Sequence, residues 1–117
     1  MLNVKALLLK VLNFLQTLSY DSGEKTAYGN YCKYRRIGKW VYVWGWSANG
    51  WTISSGAYRA LTTLPSGYRP KNNHYFWVGA MGGTQQIFGT IQPDGIINFY
   101  TTGTTAYWEF STIFPLD

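Results

Sequence analysis

Cysteine is almost absent from this chain of 117 residues, in which Cys32 is the single one. One cysteine cannot form an intramolecular disulfide, and it cannot supply the ligands of a cysteine-based zinc site. We therefore expect Cys32 to be a buried free thiol in an apolar strand, and we expect packing to hold the fold together. Maturation in an oxidising compartment is not required.

Charged side chains are also scarce, at 13% of the residues, whereas aromatic residues make up 19%. Because the polar side chains are too few to cover a monomer comfortably, part of the aromatic surface is expected to meet another subunit or a ligand. The net charge of +5 is scattered, and its one local group comprises Lys33, Arg35, Arg36 and Lys39. Nucleic-acid-binding proteins concentrate basic residues on one face, so we interpret the charge as favouring solubility and predict no nucleic-acid partner.

Residue types that carry catalysis are few and far apart. The five carboxylates are Asp21, Glu24, Asp94, Glu109 and Asp117. Glu109 alone lies in a predicted strand, and it has no evident partner for the paired carboxylates of glycoside hydrolysis. The single histidine cannot build a histidine-rich metal site, and the sequence contains no nucleophile elbow and no phosphate-binding loop. We predict a protein that is not an enzyme and that needs no metal or other cofactor.

An amphipathic helix is predicted at residues 1–20, before the chain changes abruptly to alternating patterns. Two overlapping heptad seams contain Val4, Leu7, Leu8, Val11, Phe14, Leu15 and Leu18. One seam favours three or four helices and the other favours two, and a double seam suits a helix with two neighbours, so we predict a homotrimeric coiled-coil stalk. The alternative is a helix that packs on its own β domain. Fewer than three heptads are marginal alone, so the rest of the chain must supply most of the assembly energy.

The same segment is too polar to cross a bilayer. Lys5, Lys10 and Asn13 interrupt its apolar stretch, and it lacks the small-residue cleavage site of a signal peptide. We therefore predict no membrane insertion, and we expect the segment to remain in the mature protein.

Residues 21–30 are predicted to be a linker, and residues 31–117 are predicted to form a β domain. Short runs of β-branched and aromatic residues alternate there with turn signals such as Pro93-Asp94-Gly95. The predicted strands are residues 31–36, 40–46, 51–53, 58–63, 75–81, 85–91, 96–101 and 105–113. Seven or eight antiparallel strands in this length predict a β-sandwich of the jelly-roll type.

Both faces of the strand at residues 40–46 are apolar. Trp40, Tyr42, Trp44 and Trp46 alternate with valine and glycine. A strand with one face in water would alternate apolar with polar residues, so one face here is expected in the core and the other against a partner. We predict that the four aromatic residues belong to the oligomer interface, and a ligand platform is the alternative.

The segments GKWVYVWGW, LPSGYRP and IQPDGIINFY and the ending FPLD resemble the C-terminal head modules of bacteriophage tail fibres and receptor-binding proteins. The resemblance covers residue 31 to the C-terminus, and a helical entry is also typical of such modules. It implies a homotrimer at the tail tip of a virion, made in the bacterial host cytoplasm, that contacts other tail proteins and binds a host-surface saccharide or protein. The alternatives are a structural tail or baseplate component without ligand affinity and a free bacterial lectin-like protein.

Saccharide binding needs aromatic faces for the C–H surfaces of sugar rings and polar groups for the hydroxyls. Predicted loops near the strand ends offer this combination, and the candidates are Trp51, Tyr58, Arg59, Tyr68, Arg69, Asn72, Asn73, His74 and Tyr75. Structural roles are the alternatives: Trp51 can pin its loop to the sheet, Tyr68 can be a buried corner residue, and Asn72-Asn73 can form a turn.

Overall fold

A computed structural model describes residues 3–82 and 85–117, apart from the side chains of residues 15–19. The described chain is mainly β, with one helix, α1, at Val4–Ser19. The strands are β1 (Lys25–Tyr28), β2 (Cys32–Ile37), β3 (Trp40–Ile53), β4 (Tyr58–Thr63), β5 (His74–Ala80), β6 (Ile87–Ile91), β7 (Ile96–Thr101) and β8 (Thr105–Pro115). β1 lies within residues 21–30, which were predicted to be a linker.

All eight strands belong to one sheet with the order β1-β2-β3-β8-β5-β6-β7-β4, and every pairing is antiparallel. The two edge strands approach each other, where the Thr62 hydroxyl donates to the Ala27 carbonyl at 3.5 Å. The sheet therefore nearly closes on itself. The predicted mainly β, antiparallel class is confirmed. The two separate sheets of a jelly-roll sandwich are not confirmed, because β5 pairs with both β6 and β8 and joins the two halves.

Aromatic side chains fill the interior of the curled sheet. Trp108, Phe99 and Phe114 are the largest fully buried side chains. The Trp51 ring meets Phe99 and Trp108 edge to face, and Trp108 Nε1 donates to the Trp51 carbonyl at 3.0 Å. This bond satisfies a polar group that burial would otherwise leave unpaired. Cys32 is a fully buried free thiol, as predicted.

β3 is one long strand, although the sequence predicted two strands separated by a loop at residues 47–50. Asn49 has a φ of +65°, and the pairing with β8 shifts register between Ala48 and Ile53. The turn-like residues therefore form an irregularity within the strand. The buried Ser47 hydroxyl holds it, because this oxygen accepts from the Trp51 N–H at 3.0 Å and donates to the Ala106 carbonyl at 2.8 Å.

α1 begins after Asn3, whose side chain accepts a hydrogen bond from the Ala6 N–H at 3.2 Å and so caps the first turn. The exposed apolar side chains of the helix are Val4, Leu7, Leu8, Leu9, Val11, Leu12 and Phe14. Each is at least 45% exposed, so over residues 4–14 the helix does not pack on its own β domain. The side chains of Leu15 and Leu18 lie outside the described part of the chain.

The protein is elongated, with principal extents of 67 × 23 × 20 Å. Within the described residues, the helix has 16 residues, and no helix there combines the length and apolarity needed to cross a membrane.

Candidate ligand-binding face

The two faces of β3 have different environments. Val41 and Val43 are fully buried, whereas Trp40, Tyr42 and Trp46 are exposed. The expectation that one apolar face of this strand fills the core is confirmed. The other face projects its aromatic side chains outward, beside the outward residues of β8.

A groove of about 640 Å³ opens on this outer surface, between β3, β8 and β5. We call it the tryptophan groove, and it is lined by Trp44, Gly45, Trp46, Trp77, Gly79, Glu109, Phe110 and Ser111. The strand register explains its shape, because Trp46 lies opposite Glu109, and Glu109 lies opposite Gly79. Gly79 has no side chain, so the groove stays deep between the indoles of β3 and Trp77 of β5.

The divergence of β5 from β8 also widens the groove. In the described chain their ladder comprises two pairs, Gly79 with Glu109 and Ala80 with Trp108. From His74 to Val78, β5 pairs with β6 instead. The Glu109 carboxylate therefore lies on an open surface among three tryptophans, where its oxygens can accept hydrogen bonds from a ligand.

Trp77 is not among the site residues predicted from the sequence, and Glu109 was considered there only as a catalytic group. Tyr75 is 71% exposed and Trp77 is 70% exposed, whereas the alternating residues Phe76 and Val78 are buried. β5 thus repeats the pattern of β3, with both faces apolar. The segment HYFWV, like WVYVWGW, is apolar on both faces, and this pattern indicates Trp77 as an outward aromatic residue. The position of Glu109 requires the pairing of β8 with β3 and β5.

A row of four rings crosses the other half of the sheet. Trp77, Phe88, Tyr100 and Tyr58 are consecutive partners across β5, β6, β7 and β4. Their ring centroids are 5.6, 5.2 and 5.0 Å apart in that order. We call this the aromatic row, and Trp77 connects it to the tryptophan groove.

A second depression of about 270 Å³ lies beside the aromatic row. This tyrosine pocket is lined by Tyr58, Asn73, Tyr75, Thr90, Gln92 and Asn98. It brings together three of the nine saccharide candidates from the sequence, namely Tyr58, Asn73 and Tyr75. Asn73 Nδ2 donates to the Tyr75 hydroxyl at 3.4 Å, so an amide and a phenol already lie side by side.

Trp51 and Arg59 have structural roles in this fold. Trp51 is buried in the core, so the prediction that it contacts a saccharide from an exposed loop is wrong. Its role is the alternative one, in which it pins its segment to the sheet. The Arg59 guanidinium lies 4.0 Å from the centre of the Trp51 ring and donates to the Thr52 carbonyl. It therefore covers the core tryptophan and lines none of the depressions described above.

Tyr68 and Arg69 stabilise the connection between β4 and β5. The Tyr68 ring meets Tyr34 edge to face at 4.8 Å, and interaction with the Tyr68 side chain raises the pKa of Tyr20. Arg69 Nε donates to the Leu64 carbonyl at 2.9 Å. Tyr68 is half-buried, and its contact with Tyr34 holds the connection against β2.

Asn72, Asn73 and His74 line a smaller cavity of about 180 Å³ at the start of β5. His74 Nε2 lies 2.6 Å from the Thr112 hydroxyl, and burial lowers the pKa of this histidine. The imidazole therefore bridges β5 and β8 beyond the point where their backbone ladder ends.

Ion pairs partly compensate the local basic group. Arg35 binds Asp21, and these bonds together with the Gly23 N–H lower the pKa of the Asp21 carboxyl to about 2. Lys33 also pairs with Glu24 at 3.9 Å, and Lys39 pairs with Asp117 at 4.0 Å. The group thus presents less positive charge than its sequence indicates.

Within the described residues, no cluster of three or more histidine, cysteine, aspartate or glutamate side chains is placed to hold a metal ion. Comparison with protein-family models and with curated proteins found no match to this chain.

Proposed function

We propose that this protein is a receptor-binding head of a bacteriophage tail tip that attaches, as a homotrimer, to a saccharide on the host surface. The tryptophan groove is the observation that carries the saccharide assignment. On this proposal the curled sheet is a variant of the jelly-roll-like sandwich head, with β1, β2, β3 and β8 in one layer and the other four strands in the second.

The groove combines the two kinds of group that a sugar ring needs. The indoles of Trp44, Trp46 and Trp77 offer flat apolar faces to the C–H surfaces of the ring. The Glu109 carboxylate accepts hydrogen bonds from hydroxyl groups, and charge-assisted bonds of this kind are stronger than neutral ones. A volume of about 640 Å³ falls within the range of small-molecule sites.

The exposed apolar helix supports the homotrimer. Leu8 is 63% exposed and Val11 is 48% exposed, although both lie on the heptad seams. Burying such side chains stabilises an assembly by about 1.5–3 kcal/mol each. A three-helix stalk buries both seams at once and accounts for the elongated shape of the protomer.

A structural tail or baseplate role is the second candidate function. Its support is the outer patch beside the groove, where Tyr42 lies opposite Ile113 and Trp40 lies opposite Pro115. Trp40, Tyr42 and Ile113 are all exposed, and an apolar patch of this kind suits contacts between subunits.

Binding of the full-length protein to an array of host cell-wall saccharides tests the proposed function. We expect Trp77→Ala and Glu109→Gln to reduce binding at least tenfold. Trp40→Ala is the matched control, because Trp40 is an exposed tryptophan of β3 that does not line the groove. Undiminished binding by all three variants would place the saccharide site outside the groove. If neither the parent chain nor any variant binds a saccharide, the structural role is supported instead.

Light scattering tests the oligomeric state. The full-length chain is expected to have the mass of a trimer, and Leu8→Glu is expected to lower that mass. Lys10→Glu is the control on the same helix, since Lys10 lies outside the seams. A monomeric mass for the parent chain would refute the stalk.

A further inference from the structure

Three depressions on the outer face form one continuous track. Between the tryptophan groove and the tyrosine pocket lies a third depression of about 260 Å³, lined by Tyr75, Phe76, Trp77 and Phe88. It shares Trp77 with the tryptophan groove and Tyr75 with the tyrosine pocket. The three depressions therefore adjoin one another through shared lining residues.

The track has an apolar side and a polar side. The aromatic row supplies the first. The second lies at the next outward position on each strand, where Tyr75, Thr90, Asn98 and Ala60 pair in that order. Its polar groups come from Tyr75, Thr90 and Asn98. The two rows are about 7 Å apart along the strands, since outward positions are two residues apart. Each row extends about 14 Å across four strands.

This arrangement suits a chain of sugars. A sugar residue has C–H surfaces that pack on aromatic rings and hydroxyls that need hydrogen-bond partners, and the two rows offer both over several residues. In a packed protein interface, the polar groups of Thr90, Gln92 and Asn98 would need hydrogen-bond partners on the other subunit. The hydroxyls of a sugar supply such partners, so these residues favour a hydroxylated ligand over a second copy of this chain.

The lining also indicates the charge of the ligand. No lysine, arginine, aspartate or glutamate lines the tyrosine pocket or the middle depression, among the residues that the structure describes. Single-stranded nucleic acid also stacks its bases on aromatic rings, but it requires cationic side chains along its phosphates. Glu109, at the far end of the track, further disfavours an anionic polymer.

We propose that the receptor is an extended, uncharged polysaccharide chain that lies across the outer face from the tryptophan groove to the tyrosine pocket. This inference rests on the proposed function and adds that the protein recognises several consecutive sugars along a chain, with the tyrosine pocket as a distant subsite.

Affinity measured against ligand length tests this inference. The probes are neutral fragments of host cell-wall polysaccharide, separated into short and long fractions, and titrated into the full-length protein by calorimetry. Long fragments are expected to bind at least tenfold more tightly than short ones, which corresponds to about 1.4 kcal/mol. Tyr58→Ala is expected to remove most of this difference while the affinity for short fragments stays unchanged.

Two further variants complete the experiment. Asn98→Leu removes a polar group from the track and is expected to weaken the binding of long fragments only. Tyr28→Ala is the control, because Tyr28 is an exposed tyrosine of β1 that lines none of the three depressions. Circular dichroism of each variant confirms that it is folded.

The outcomes separate this inference from the proposed function. Equal affinity for short and long fragments, lost in Trp77→Ala and unchanged in Tyr58→Ala, would overturn the extended site and retain the groove. Absence of binding by every fragment would overturn both. A lower solution mass of Tyr58→Ala would show that this face is a contact between copies, which also overturns the inference.

Discussion

Gly79 lies directly opposite Glu109 in the pairing of β5 with β8, on the floor of the tryptophan groove. A Cβ atom added at Gly79 would lie 3.5 Å from the Glu109 carbonyl oxygen, which is an ordinary van der Waals contact. The strand therefore has room for a small side chain, and that side chain would occupy space that we assign to the ligand.

Filling the floor of the groove is expected to weaken saccharide binding while the fold is retained. We predict that Gly79→Ala changes the free energy of unfolding by about 1 kcal/mol or less and raises the dissociation constant severalfold. Gly79→Leu should block the groove. Urea denaturation and calorimetry measure the two effects, and unchanged binding by Gly79→Leu would place the ligand elsewhere.

Gly45 is the matched position at which the fold has no such room. A Cβ atom there would lie 1.9 Å from the Tyr31 carbonyl oxygen, which is a backbone atom and cannot rotate away. We predict that Gly45→Ala lowers the free energy of unfolding by about 3 kcal/mol, as forced overpacking does. Urea denaturation beside Gly79→Ala provides the comparison. Equal midpoints for the two variants would contradict the close approach of Tyr31 to β3.

Local pattern was sufficient to predict much of this fold. The alternation in WVYVWGW placed Val41 and Val43 in the core, and the turn signal at Pro93-Asp94-Gly95 separated two strands that the structure contains. It failed at residues 47–50, where β3 continues through a loop-like sequence in which Asn49 has a positive φ. The Ser47 hydroxyl bonds there to the Ala106 carbonyl of β8, and neighbouring residues in the sequence do not reveal a contact between such distant strands.

The candidate site depends more on pairing between distant strands. Tyr58, Asn73 and Tyr75 were predicted as candidates, but their convergence requires the order of four strands. The groove brings Trp46 and Glu109 together across β3 and β8, which are far apart in sequence. The composition indicated that some aromatic side chains are exposed. The pairing of β8 with β3 and β5 shows that these side chains surround the Glu109 carboxylate.

His74 is expected to make stability depend on pH. Burial lowers its pKa below the ordinary value of 6.5, so near pH 6 the unfolded state binds more protons than the folded state. The contribution of the neutral imidazole is therefore complete above about pH 6.5 and is lost as the pH falls through the folded-state pKa. We predict that the free energy of unfolding decreases between about pH 7 and about pH 5.

Two variants assign this pH dependence. His74→Gln is expected to flatten the slope, because glutamine does not titrate. Asp21→Asn is expected to leave the slope unchanged, because the pKa of Asp21 is about 2 and this carboxylate stays ionised throughout the range. A slope that persists in His74→Gln would identify a different titrating group.

Cys32 reports on the opening of β2. Burial raises the pKa of its thiol to about 12, and the side chain has no exposed surface. Because the thiolate is the reactive form, a disulfide reagent at about pH 8 should modify the folded protein slowly and the urea-unfolded protein at once. Thr26→Cys supplies an internal control, since Thr26 lies at an exposed position of the neighbouring β1. In that variant one thiol should react rapidly and the second should follow only as the sheet opens, so rapid reaction of both would mean that β2 is not packed in the core as described.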